Sequence, residues 1–206
     1  TWTVLACCRK PNAADELQGL KRTSGDRLEI HALDVTDAAA VAALSEKLSG
    51  RSIDILINNA GVIGGERQSA FDMDYDVWLE TLRINTMAPL RMAQSFIDHL
   101  KRADRPRIAT ISSQMGSLSR KSKGSYAYRS SKAAVNKVMQ VLALDLEDDG
   151  VIVSMLHPGW VRTDMGGESA DIAPQDSAAG LFDVITSLEM KDTGRFLTYT
   201  GEEHPW

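Results

Sequence analysis

Short apolar runs alternate along this chain with longer stretches of helical periodicity, and that alternation leaves few folds open. The runs fall at residues 2–8 (WTVLACC), 27–33 (RLEIHAL), 53–57, 108–113, 151–156 and 195–198. Between them, residues 12–22 follow Pro11 with Asn12 as an expected N-cap, and residues 38–48 follow Thr36 or Asp37 as cap with Gly50 beyond. Such caps satisfy the free N–H groups of a first helical turn. A long helical region spans residues 75–102, interrupted by Pro89, and further helices are expected at 126–147 and 175–190. Strands separated by helices are joined as parallel βαβ units, with helices covering both faces of the sheet. The expected fold is therefore α/β, a doubly wound parallel sheet in three layers, in a single domain over residues 1–206.

Composition narrows the function classes. A net charge of −5 and a pI near 5.4 leave no basic footprint for nucleic acid or an acidic membrane surface. No apolar run approaches the roughly 20 residues that a membrane helix needs. The only cysteines, Cys7 and Cys8, are strand neighbours that point to opposite faces, so they are expected as small core residues without a mutual disulfide. That usage suits a reducing, cytoplasmic setting. The four histidines, His31, His99, His157 and His204, show no ligand spacing with cysteines or carboxylates, and no metal site is expected.

The chemistry concentrates between Ser112 and Lys132. The run at 108–113 ends in two hydroxyls, Ser112 and Ser113, and strand ends are where open parallel sheets bind ligands. Tyr128 and Lys132 stand four residues apart in a helical segment, hence on one face and one turn apart. An ammonium beside a phenol favours the phenolate, so Lys132 is expected to lower the pKa of Tyr128 and suit it to proton transfer. Asn85 lies four residues before Pro89, which has no N–H, so the carbonyl of Asn85 should lose its helical partner. Asn58-Asn59-Ala60-Gly61 follows a strand with little bulk, which lets the backbone approach a ligand.

Taken with Pro158-Gly159 after VSMLH, these motifs make the chain resemble the short-chain dehydrogenase/reductase family. The LACCR, SYAYRSSKAAVN and HPGWVRTDMGG segments are most similar to its C-factor/Sniffer-type carbonyl reductase branch. The resemblance implies a Rossmann-like fold and an NADP(H)-dependent oxidoreductase that reduces a small carbonyl compound or oxidises the alcohol. It makes Tyr128 the general acid and Lys132 the holder of the nicotinamide ribose. Ser113, the second serine of its pair, becomes the partner of the carbonyl oxygen, and Asn85 the anchor of a proton-relaying water. Tyr126 is then a decoy, since Ser130 follows it where a lysine is needed. For the cofactor it implies Asn59, Ala60 and Gly61 along the adenosine and ribose, and Asp34 and Val35 at the adenine. Pro158, Gly159, Val161 and Thr163 would meet the nicotinamide carboxamide, with Trp160, Gln114 and Met115 available to line a substrate pocket. Asp34 has a second reading as a solvated helix cap, and Trp160 as a packed core residue. Arg9 ends the first run with no acid beside it, which favours a 2′-phosphate and hence NADP(H). A homodimer or tetramer is the family's usual assembly.

One family feature is missing. The Thr-Gly-x-x-x-Gly-x-Gly turn, which sets the pyrophosphate on a helix N-terminus, occurs nowhere in the sequence. The run at 2–8 matches the family's second strand, so the first strand, its turn and its helix are expected to lie in an N-terminal extension. The other readings are a cofactor-binding signalling protein of C-factor type with little turnover, an inactive fragment, and a sugar epimerase or dehydratase. The last usually has a larger substrate region.

Overall fold

The computed structural model describes residues 2–206. Residues 2–49 and residues 50–206 each form a compact unit. In the first, β1 (Val4–Cys8) pairs in parallel with β2 (Leu28–Ala32), Val4 opposite Leu28 and Cys8 opposite Ala32. Helix α1 (Asp15–Ser24) joins them, and α2 (Ala38–Lys47) follows β2. Asp37 caps α2 by accepting from the N–H groups of Ala39 and Ala40. Asn12 caps nothing: it lies inside a 3₁₀ turn, Pro11–Ala13, and α1 starts after Ala14 with no side-chain cap. Pro11 sets that tight turn with its fixed φ and displaces the helix start by three residues from the expected position. Cys7 is exposed and Cys8 half-buried, both as free thiols, so neither is a core residue.

The second unit holds a four-stranded parallel sheet in the order β3 (Ile55–Asn58), β4 (Arg107–Ile111), β5 (Ile152–His157), β6 (Phe196–Thr198). Parallel strands buried on both faces read as near-continuous apolar runs, and every residue of β5 is buried. Alternate residues enter two cores. Ile108, Val153 and Met155 pack with Leu100, Val135 and Met139, while Ile152 and Leu156 pack with Val184, Ile185 and Leu188 at the end of a helix over Pro174–Ser187, labelled α6. The buried Arg107 ties that helix end to β4 by donating to the carbonyls of Thr186 and Leu188.

The interrupted helix resolves into α3 (Tyr75–Leu82), one π-turn (Arg83–Met87) and α4 (Ala88–Leu100). Proline cannot continue the ordinary i→i−4 ladder, and the chain answers with a wider turn in which the N–H of Ala88 reaches the carbonyl of Arg83. The helix α5 (Tyr126–Asp145) follows β4, and no ladder among the described residues joins the Val4 and Ile55 strands. The expected N-terminal extension concerns residues outside this sequence, and Thr1 lies outside the described residues.

Candidate active site

The strand β4 delivers Ser112 and Ser113 to its carboxyl end, and successive side chains point to opposite sides. Ser112 donates to Asn136 on α5 and is buried in the framework. Ser113 faces the other way. Its Oγ accepts from the N–H of Met115 (3.1 Å), opening a 3₁₀ turn over Gln114–Gly116, and its hydroxyl lies close enough to the phenol of Tyr128 to influence its ionisation. That turn lies hard against α5. A Cβ on Gly116 would come within 2.6 Å of the backbone carbon of Lys132, so only glycine fits there.

Tyr128 and Lys132 share the inner face of α5, 8% and 5% exposed, whereas Tyr126 is 45% exposed. The Lys132 Nζ lies 5.8 Å from the centre of the Tyr128 ring and donates to the carbonyl of Ile111 at 2.8 Å. Burial pushes the lysine down to about 8. Burial also pushes the Tyr128 phenol above its usual value, and the Ser113 hydroxyl pulls it partly back. The expectation that Lys132 lowers this phenol is corrected here. The ammonium is spent on a backbone carbonyl over the ring face, and desolvation dominates.

Asn85, 1% exposed on the π-turn, acts through its side chain. Oδ1 accepts from the N–H of Val62 (2.9 Å), and Nδ2 donates to the carbonyl of Val62 (2.8 Å) and to Ser131 Oγ (2.9 Å). Ser131 donates in turn to the carbonyl of Tyr128 at 2.8 Å. Asn85 thus clamps the loop after Asn58-Asn59-Ala60-Gly61 to the helix that carries Tyr128. Asn58 is buried on Thr110 Oγ1, while Asn59 and Ala60 are exposed. A Cβ built on Gly61 would lie 3.4 Å from Asn85 Oδ1 and 3.5 Å from Lys132 Nζ, so this glycine keeps the approach to both groups open. A cleft of about 430 Å³ begins there, walled by Val62, Ile63, Val77, Thr81 and Ile84, with Met165 across it.

The remaining expected residues are dispersed. Gly159 holds a positive φ, and a Cβ there would strike Ile172. Val161 bridges to Ile172, and Thr163 organises the following turn by accepting from the N–H of Gly166. Trp160 is not a packed core residue: it is 45% exposed and donates to the carbonyl of Gly166. Met115 lines a second, smaller cavity with Arg120 and Arg129, and Gln114 holds Arg120. In the first unit, Arg9 is exposed beyond β1. Asp34 lies after β2 with its Oδ1 on both the hydroxyl and the N–H of Thr36, which holds its carboxyl below the usual range. Val35 is half-buried beside it.

Two residues of this region carried no sequence signal, Gln68 and Gly116. Gln68 is a polar residue in a loop, and its partners are up to 60 residues away. Among the described residues, no group of three or more His, Cys, Asp or Glu could hold a metal, and no helix is long and apolar enough to cross a membrane.

A family model, short chain dehydrogenase, matches residues 1–172. The chain is 42% identical over 155 residues to the C-signal of Myxococcus xanthus, covering 75% of this chain and 93% of that one. Its fold superposes on the carbonyl reductase Sniffer of D. melanogaster with a TM-score of 0.94 and 30% identity, over 99% of this chain and 88% of the other. It superposes on an NADPH-bound carbonyl reductase from chicken fatty liver with a TM-score of 0.91 and 33% identity, at the same coverage. The chain belongs to the short-chain dehydrogenase/reductase family.

Proposed function

We propose that the protein is an NADP(H)-dependent carbonyl reductase in which Tyr128 is the general acid. The observation that carries this reading is the buried Ser113–Tyr128–Lys132 cluster at the carboxyl end of β4. A phenol pushed up by burial keeps its proton at neutral pH, which is the state needed to protonate a carbonyl oxygen. Ser113, whose hydroxyl lies beside that phenol, would donate to the same oxygen as charge builds on it. NADPH, when bound, supplies the hydride for the carbonyl carbon.

The residues present fit part of that cofactor. Lys132 has a buried ammonium beside Gly61, where the lack of a Cβ leaves room for a ribose, and its charge suits ribose hydroxyls. Asn59, Ala60 and Gly61 would line the adenosine and ribose, and Pro158, Gly159, Val161 and Thr163 the nicotinamide carboxamide. Arg9 would meet the 2′-phosphate, with Asp34 and Val35 at the adenine. Chicken carbonyl reductase with NADPH bound supports the phosphorylated form. No residue here replaces the Gly-rich turn for the pyrophosphate, so no contact is assigned to that group. We assign Asn85 the role of holding the Val62 loop against α5, with the proton relay toward Lys132 passing beside it.

A C-signal-like, cofactor-binding protein with little turnover is the second reading, favoured by the 42% identity to that relative. An NADPH consumption assay over a panel of aldehydes and ketones separates the two. Carbonyl-dependent oxidation of NADPH supports the reductase, and none with any carbonyl supports the signalling role. In the same assay Arg9→Asp should lower the preference for NADPH over NADH by at least about tenfold, since a charge-assisted bond is worth roughly 1.5–3 kcal/mol. A parent protein that already prefers NADH contradicts the role given to Arg9.

A further inference from the structure

We propose that Gln68 is a positioning residue for Tyr128, holding the acid's backbone to the loop that follows Gly61. Helix α5 begins without a conventional cap. Ser125 precedes it at φ 53° with no side-chain hydrogen bond, leaving the first-turn N–H groups to find partners elsewhere. Tyr128 is the third residue of that turn, and its N–H donates to Gln68 Oε1 at 3.1 Å across 60 residues of sequence. The same amide donates through Nε2 to the carbonyls of Ile63 (3.0 Å) and Gly65. Gln68 is 8% exposed, and its bond to Tyr128 is buried while the two to Ile63 and Gly65 are part-buried. Gly64 lies against it at positive φ, where a Cβ would come 3.1 Å from Gln68 Nε2.

Both peptide groups of Tyr128 are therefore tied to one loop. Its carbonyl is held by Ser131, which Asn85 links to Val62, and its N–H is held by Gln68, which links to Ile63 and Gly65. Two tethers fix position and tilt where one leaves a pivot. A shift of about 1 Å in a reacting group can cost about a hundredfold in rate, so the second tether matters to turnover more than to the fold. This role rests on Tyr128 being the acid.

The test uses Gln68→Met, which keeps the volume and removes all three bonds. Its kcat should fall about tenfold to a hundredfold while the Kd for NADPH stays unchanged. In a Tyr128→Phe background the same change should cost no more kcat, because it acts through the tyrosine. Gln68→Glu is the second variant and covers a Gln68→Met that fails to fold. Protonated, it still accepts from Tyr128 and donates once. Ionised, it faces two carbonyl oxygens. Its kcat should therefore fall as pH rises through the new carboxyl, on a limb the parent lacks. Full turnover by folded Gln68→Met, or by Gln68→Glu across that range, overturns the proposal. So does a kcat loss matched by lost NADPH binding. Full turnover by Tyr128→Phe overturns the acid assignment itself and this role with it.

Discussion

Burial sets the chemistry of single residues at the end of β4. It moves Tyr128 up and Lys132 down, to about 8, so the neutral phenol and the charged ammonium coexist at neutral pH. The pH dependence follows with a definite sign. In the proposed reaction, reduction uses the proton on Tyr128 and the charge on Lys132, and the lysine is the first to lose its proton as pH rises. The rate of carbonyl reduction should be flat below about pH 8 and fall above it. Lys132→Arg should move that fall to higher pH, because a guanidinium does not titrate in this range. A parent profile still flat at pH 10 contradicts the assignment. Local spacing made legible that Tyr128 and Lys132 share a helix face, that Ser113 stands at a strand end and that Asn85 precedes a proline by four, while the roles proposed for them rested on the resemblance to the family. The direction of the Tyr128 shift was not legible, since desolvation depends on what the fold stacks around a residue.

Among the elements, β5 illustrates how a strand end can store an acid sensitivity. Its last residue, His157, is 8% exposed and meets His204 edge-on at 5.6 Å, where residues 199–206 fold back on β6. Trp206 packs on Phe196, and its carbonyl accepts from the N–H of Ser119. Burial pushes His157 down to about 4, with repulsion from His204 and Arg120 adding to the shift. Between about pH 6.5 and about pH 4 the unfolded chain therefore binds a proton that the folded one refuses. Stability should fall on acidification through that window, by up to about 1.4 kcal/mol per pH unit. Thermal melts across it should show this slope in the parent and a flatter one in His157→Asn. Equal slopes would assign the acid loss to other groups. Strand and helix order followed from the apolar periodicity, but the start of α1 did not. Asn12 has the chemistry of a cap, yet Pro11 commits the backbone to a 3₁₀ turn first. The π-turn was half legible. Pro89 announced a broken ladder, and the way the break is bridged depends on Asn85 finding Val62 and Ser131.

At the scale of the whole molecule, strand placement ranks protection. In residues 50–206, β4 and β5 are the inner strands and are almost wholly buried, whereas β3 and β6 close the row. Amide exchange should be slowest in β4 and β5, reporting global unfolding, and faster in the exposed residues 118–123 through local opening. Equal protection of that loop and β5 would contradict the ranking. Burial of this kind could not be read from composition, because an apolar run has the same pattern whatever packs against it. Turnover is the property of the complete protein to which all scales contribute, and the comparison of two tyrosines tests it most directly. Tyr128→Phe and Tyr126→Phe should be measured together for NADPH-dependent carbonyl reduction and for NADPH affinity. Tyr128→Phe is expected to lose about 10²–10⁴ in kcat with NADPH affinity kept, and Tyr126→Phe to behave as the parent. Full activity in Tyr128→Phe, with Tyr126→Phe inactive, would contradict the assignment of the acid.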